Sequence, residues 1–223
     1  MKSSTPLRKI TATARDTLSG NWGRSIGVVL VYIILSVGVS MVPLIGKLLS
    51  WIFAAPLVVG MTAYFLAVIR RQDNPFSLLF DGFNRFGTAV CTYLLVFLIM
   101  MAWMIPFGLL AGIAAAFGVR SVPLLAVLVL IAVSVMIPLQ MRYGLALYVV
   151  ADDPSVRARQ AIRRGIELMK DNYWRLGLFW LRFIGWQLLA VLTLGIGFIW
   201  LAPYYMAAMT VFYDDLAGNR QTV

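Results

Sequence analysis

The stretch NWGRSIGVVLVYIILSVGVSMVPLIGKLLSWIFAAPLVVGMTAYFLAVIRRQ, residues 21–72, decides the fold. Arg24 and the Arg70-Arg71 pair bracket two long apolar runs, and between them only Lys47 is charged. A helix of about 20 apolar residues crosses the hydrocarbon core. The runs 25–42 and 48–69 therefore read as two spans that leave one side and return to it. Similar runs follow at about 87–117, 122–150, 174–193 and 197–213, which makes six spans. With these marked, every Asp and Glu falls on one side. So does every Lys and Arg except Lys47 and Arg120, on the opposite side, and Arg142 and Arg182, inside spans. Lys and Arg accumulate in cytoplasmic loops, so both termini read as cytoplasmic. Trp22 and Trp174 fall at the inner boundary and Trp51 near the outer one, as aromatic belts do.

At 223 residues and 61% hydrophobic, the chain lies far outside the soluble globular range. Six spans leave too little chain for a second folded unit. The expectation is an all-α, polytopic membrane helical bundle forming one transmembrane domain over residues 1–223. The net charge of +10 does not point to nucleic acid, because the charges flank spans, where orientation and anionic lipid require them. The partners expected are membrane lipids, anionic ones included; a protein partner or a second copy of the chain is left open. The basic N-terminus lacks the small-residue exit of a cleavable signal, so the first span is expected to be retained. The single Cys91 can form no internal disulfide. The spans at 87–117 and 122–150 exceed the need of a bilayer, and tilt or breaks at Pro106 and Pro138 would absorb the excess.

A short amphipathic segment precedes each odd-numbered span. Each opens on a polar residue followed by proline: Thr5-Pro6, Asn74-Pro75 and Asp153-Pro154. A polar N-cap with Pro at the first helical position is a helix-start signal. Leu7, Ile10, Ala14 and Leu18 share one face of the first segment; Phe76, Leu79, Phe80 and Phe83 do so in the second; Ala158, Ile162, Ile166 and Met169 in the third. Arg8, Lys9 and Arg15, and later Arg157, Arg159, Arg163, Arg164 and Lys170, take the opposite faces. Such helices either lie on anionic lipid in the interface plane or pack under the bundle and orient it.

The segments recur with their spans as units of about 5–71, 74–151 and 153–215. Leu18-x-x-Asn21-Trp22-x-Arg24 matches Met169-x-x-Asn172-Tyr173-x-Arg175, and Ile45-Gly46 matches Ile196-Gly197 at the same spacing. Leu79, Phe83 and Arg85 align with Leu18, Trp22 and Arg24. Each even span carries a proline: Pro56, Pro138 and Pro203. Because each unit holds two spans, all three have the same orientation, giving three parallel hairpin repeats about an axis normal to the membrane. Proline frees a backbone carbonyl inside a span. Breaks at these three prolines would line a central cavity, or else be the ordinary prolines of transmembrane helices.

Arg142 and Arg182 are the charges deep within apolar runs. Each lies about eight residues from the inner end of its span, roughly 12 Å deep. A central Arg costs about 2.5–3.5 kcal/mol on insertion scales. Two readings stand: a cytoplasm-facing pocket for an anionic headgroup or solute, with Gln140 and Gln187 as polar neighbours, or snorkelling to inner-leaflet phosphates. Gly108-x-x-x-Gly112 suits close helix contact, within or between chains. Enzyme chemistry finds little support. The chain has no His and lacks metalloprotease, serine-hydrolase and phosphate-loop motifs, and nothing in it calls for a cofactor. The lead expectation is a non-enzymatic protein binding lipid or an anionic ligand. The alternatives are a small transporter or channel, and a scaffold for an envelope complex.

Three stretches carry a family resemblance. They are Ala14-Arg15-x-x-Leu18-x-Gly20-Asn21-Trp22, Leu79-Phe80-x-Gly82-Phe83-x-x-Phe86, and a C-terminal set. That set runs Phe183-Ile184-Gly185-Trp186, Leu192-Thr193-Leu194-Gly195-Ile196-Gly197, Trp200-Leu201-x-Pro203-Tyr204 and Phe212-Tyr213. Together they resemble the bacterial integral membrane family known as domain of unknown function 975. The resemblance covers nearly the whole chain and implies a bacterial inner-membrane protein of about six helices, with no activity, substrate or catalytic residue attached. The family often has Gly after the Met169-Lys170 pair, where this chain has Asp171.

Overall fold

The computed structural model describes residues 5–43, 45–116 and 122–218; Arg120, expected on the outer side, lies outside them. The described residues are helical and contain no strand. In chain order the helices are α1 (Leu7–Leu18), α2 (Trp22–Ser40), α3 (Gly46–Ile69), α4 (Asp81–Asn84), α5 (Phe86–Ala116), α6 (Val122–Tyr143), α7 (Ala146–Asp152), α8 (Ala158–Met169), α9 (Tyr173–Leu192) and α10 (Phe198–Ala217). A 3-10 turn, Phe76–Phe80, leads into α4.

Five apolar stretches are long enough to cross a membrane: Trp22–Ser40, Leu49–Ile69, Phe86–Ala116, Val122–Asp152 and Tyr173–Leu192. The sixth expected span coincides with α10, which falls outside this set. The cause is its sequence, which includes Tyr204, Tyr205, Thr210, Tyr213, Asp214 and Asp215. These polar groups are tolerated because α10 is among the most enclosed helices, with every residue from Ala207 to Asp214 buried. A helix shielded by its neighbours does not need an apolar surface all round. α3 is the other central helix and buries Tyr64 and Phe65 completely. The C-terminal half of α5, most of α6 and the α9–α10 turn instead present bare Leu, Ile, Val and Trp.

The connectors pack in a cyclic order. The turn and α4 lie on α3, α8 lies on α7, and α1 lies on α10. Each connector thus covers the helix before it in the chain, and the first connector covers the last helix. The apolar faces go into these contacts. α1 buries Ile10, Thr11, Ala14 and Leu18, and α8 buries Ala158, Ala161, Ile162, Gly165 and Met169. In the middle connector Leu79 is buried while Phe76 and Phe80 stay exposed. Glycine sets the closeness of approach. A methyl group on Gly82 would overlap the Pro56 carbonyl oxygen, and one on Gly60 would overlap the Leu79 carbonyl oxygen. A methyl group on Gly165 of α8 would sit tightly, 3.1–3.3 Å from the backbone of Ala146 and Leu145.

Several expected boundaries move. Pro6 and Pro75 are themselves the N-caps of α1 and the 3-10 turn, and α8 starts after Arg157 rather than at Asp153-Pro154. Proline's fixed φ fits an extended N-cap as well as a first helical turn. Thr5 and Asp153 bond elsewhere. Thr5 Oγ1 donates to Asp215 Oδ1 at 2.6 Å, and Asp153 Oδ1 accepts from the Ser155 N–H and hydroxyl at 2.9 and 2.6 Å. Pro56, Pro138 and Pro203, the expected breaks, lie inside α3, α6 and α10, whose helical hydrogen bonding continues on both sides of them. Each proline removes one hydrogen bond from a ladder whose flanking turns hold. Pro56 and Pro203 are buried and Pro138 is exposed. The fourth span breaks instead at Gly144-Leu145, between α6 and α7. Asp171, where a family Gly was expected, adopts φ 68°, the left-handed conformation that Gly20 takes at the matching place before α2.

Candidate functional site

The four polar residues singled out from sequence differ in their surroundings. Arg142, Arg182 and Gln187 are exposed and line none of the cavities described below. The Arg142 guanidinium lies 5.9 Å from the centroid of the neighbouring Tyr143 ring. Gln140 does line a cavity, at the α6–α7 break. Gly108 and Gly112 have open space where a side chain would project, so among the described residues this pair makes no close contact with another helix.

A groove of about 380 Å³ runs between the α1–α2 corner and the α9–α10 hairpin. Arg15 of α1 is its charged lining residue. Trp22, Trp186, Leu189, Trp200 and Tyr204 supply most of its walls. Local geometry fixes each wall. Tyr204 donates its hydroxyl to the Thr11 carbonyl at 3.3 Å, tying α10 to α1. Thr193 Oγ1 donates to the Ala190 carbonyl at 2.8 Å and accepts the Gly197 N–H at 2.9 Å, closing the hairpin. A side chain at Gly197 would crowd Ala190, which explains glycine there. Leu194 and Gly195 take φ of 54° and 89° to turn the chain. Sequence reasoning did not join these residues into a site, although Arg15, Trp22, Trp186, Thr193, Gly197, Trp200 and Tyr204 all fall within the stretches that carry the family resemblance.

A second polar feature links the ends of three helices. Arg70, just beyond α3, donates through Nη1 to Asp152 Oδ1 at 2.6 Å. Through Nη2 and Nε it donates to Asp214 Oδ1 at 2.6 and 3.2 Å. Tyr213 donates its hydroxyl to Asp152 Oδ2 at 3.0 Å. Asp214 is fully buried. Burial alone would lower the Arg70 pKa, but the bonds and charges of the two carboxylates outweigh it and raise it further. Arg85 donates to the Val150 and Ala151 carbonyls at 2.7 and 2.9 Å, satisfying the C-terminal carbonyls of α7. Arg175 contacts the Asp215 carboxylate at 3.2 Å and donates to the Thr5 carbonyl, tying the residue ahead of α1 to the end of α10.

Beside this centre a cavity of about 390 Å³ is lined by Asp152, Asp153, Arg164, Glu167 and Tyr213. Asp153 is held down at about 2, first by the Ser155 hydroxyl and then by Arg164. Among the described residues, no three His, Cys, Asp or Glu side chains come close enough to hold a metal ion.

No curated protein and no solved structure matches this chain. A family model described as "Protein of unknown function (DUF975)" matches residues 1–220, nearly the full length, and the chain therefore belongs to that family.

Proposed function

We propose that this is a non-enzymatic, six-span protein of the bacterial inner membrane, with both termini in the cytoplasm, that binds an anionic membrane lipid in the α1/α9/α10 groove. The observation that carries the reading is the groove itself. An arginine stands among tryptophans, and the residues come from stretches at opposite ends of the chain that both carry the family resemblance. At roughly 30 Å³ per methylene, close to the volume share of a water, the groove takes about a dozen carbons of one acyl chain. A chain moving from bilayer to groove gains no hydrophobic free energy, since lipid tails are as apolar as the walls. Selectivity then rests on Arg15 and an anionic headgroup. A basic residue near an anionic surface contributes about 1 kcal/mol, near fivefold in occupancy.

The three-repeat reading is supported by the cyclic connector packing. With α10 taken as the sixth span, the exposed arginines of α8 lie on the cytoplasmic side, where they meet the inner leaflet. The exposed side chains of Arg142 and Arg182 favour their reading as snorkelling anchors over a shared pocket.

The test is native mass spectrometry of protein extracted gently from its own membrane. Wild type, Arg15→Ala and Arg142→Ala/Arg182→Ala are compared. Retained anionic lipid should fall about fivefold in Arg15→Ala and little in the double variant. Equal retention in wild type and Arg15→Ala, with loss in the double variant, would move the site back to the two intramembrane arginines.

A further inference from the structure

The break between α6 and α7 falls inside an apolar stretch, Val122–Asp152, long enough to cross a membrane. Irregular backbone at membrane depth persists only where protein buries it or where it lines a cavity. Here it does both. Gly165 packs against the backbone of Leu145 and Ala146 on one side. On the other lies a cavity of about 150 Å³, to which Gln140, Tyr148, Trp180 and Tyr205 contribute polar groups. The Trp180 Nε1–H is buried and has no hydrogen-bond partner among the described residues. The Tyr205 hydroxyl is near enough to feel it, but not in hydrogen-bond geometry. A buried donor left unsatisfied forfeits its hydration with nothing in return. An acceptor placed between the indole and the phenol removes that cost.

We propose that this cavity is a binding site for a small uncharged molecule bearing a hydrogen-bond acceptor, a carbonyl or ether oxygen, received by Trp180 and Tyr205. The lining contains no Asp, Glu, Lys or Arg. A charged ligand would lie there unpaired, which is strongly disfavoured. The size admits about six to eight non-hydrogen atoms, since a cavity of this volume in another protein takes up benzene. Its remaining walls, among them Leu145 and Leu176, favour an apolar body behind the acceptor. The site is separate from the lipid groove and shares no lining residue with it.

The probes are a fluorinated cyclohexanone and the matching fluorinated cyclohexane, titrated against the full-length protein in nanodiscs and followed by ligand fluorine NMR above empty-nanodisc partitioning. The ketone should bind saturably to wild type and at least fivefold more weakly to Trp180→Phe, while the hydrocarbon does not distinguish the two. In wild-type protein labelled with fluorotryptophan, the ketone should also shift the Trp180 resonance, a readout that survives if the variant does not fold. Three results would each overturn the proposal. One is no saturable ketone binding, as for a cavity that holds water alone. The second is equal binding of ketone and hydrocarbon, as for a plain void. The third is an unmoved Trp180 resonance.

Discussion

Replacing Arg70 with Met tests the joint at which α3, α7 and α10 meet. The substitution keeps the apolar stem and removes the guanidinium, so Asp214 loses two hydrogen bonds and Asp152 loses one. Asp152 keeps the Tyr213 hydroxyl. Asp214 has no exposed surface, and Arg70 and Asp152 are each about one-fifth exposed, so water replaces little of what is lost. Removing one member of a buried pair typically costs about 3–5 kcal/mol. The ceiling comes from protonation. At pH 7 an ordinary carboxyl takes up a proton at a cost of about 4 kcal/mol, and at pH 5 at about 1.5 kcal/mol. The expected loss is therefore about 3–4 kcal/mol at pH 7, shrinking by more than half at pH 5. Reversible unfolding in mixed micelles, run at both pH values, reads it. Adding Asp214→Asn to Arg70→Met should recover part of the loss at pH 7 and almost nothing at pH 5. A defect below 1 kcal/mol, or one that does not shrink on acidification, would refute the reasoning.

Three further outcomes are expected. Gly82→Ala should destabilise by about 3 kcal/mol in the same assay, at the upper end for overpacking, because the added methyl meets the Pro56 carbonyl rather than a movable side chain; a loss under 1 kcal/mol would mean that the middle connector does not seat on α3 as described. Asp171→Gly should stabilise by up to about 1 kcal/mol by relieving a left-handed non-glycine residue, and no gain would show the aspartate to be at ease there. In a Cys91→Ser background, Lys47→Cys should react with an impermeant thiol reagent added outside intact cells, while Arg163→Cys should react only after lysis; the reverse pattern would invert the topology.

The apolar helices were legible because length and apolarity alone define a stretch able to cross a membrane. The connectors were legible for a different reason. Their apolar residues recur at helical spacing, and the structure buries Ile10, Ala14 and Leu18 of α1 accordingly. What was hidden is which face of each span meets protein. α6 is apolar on every side, so no periodicity tells whether Arg142 points inward or to lipid. Nor could pattern locate the break at Gly144, since Pro138 was the stronger local signal and the helix passes through it. The Arg70–Asp152–Asp214 centre joins residues far apart in sequence. A hint was present, because Arg70 and Asp152 follow Pro56 and Pro138 at the same distance. The groove was hidden in plain view, its residues marked at both ends of the chain with nothing in the sequence to join them.

The most direct measurement is cryo-electron microscopy of the protein in nanodiscs containing anionic lipid, wild type beside Arg15→Ala. Wild type should show one elongated density between Trp186 and Trp200 with its polar end at Arg15, weakened or lost in the variant. A groove that is closed, or filled identically in both proteins while ordered headgroup density sits at Arg142 and Arg182, would contradict the lipid-binding account.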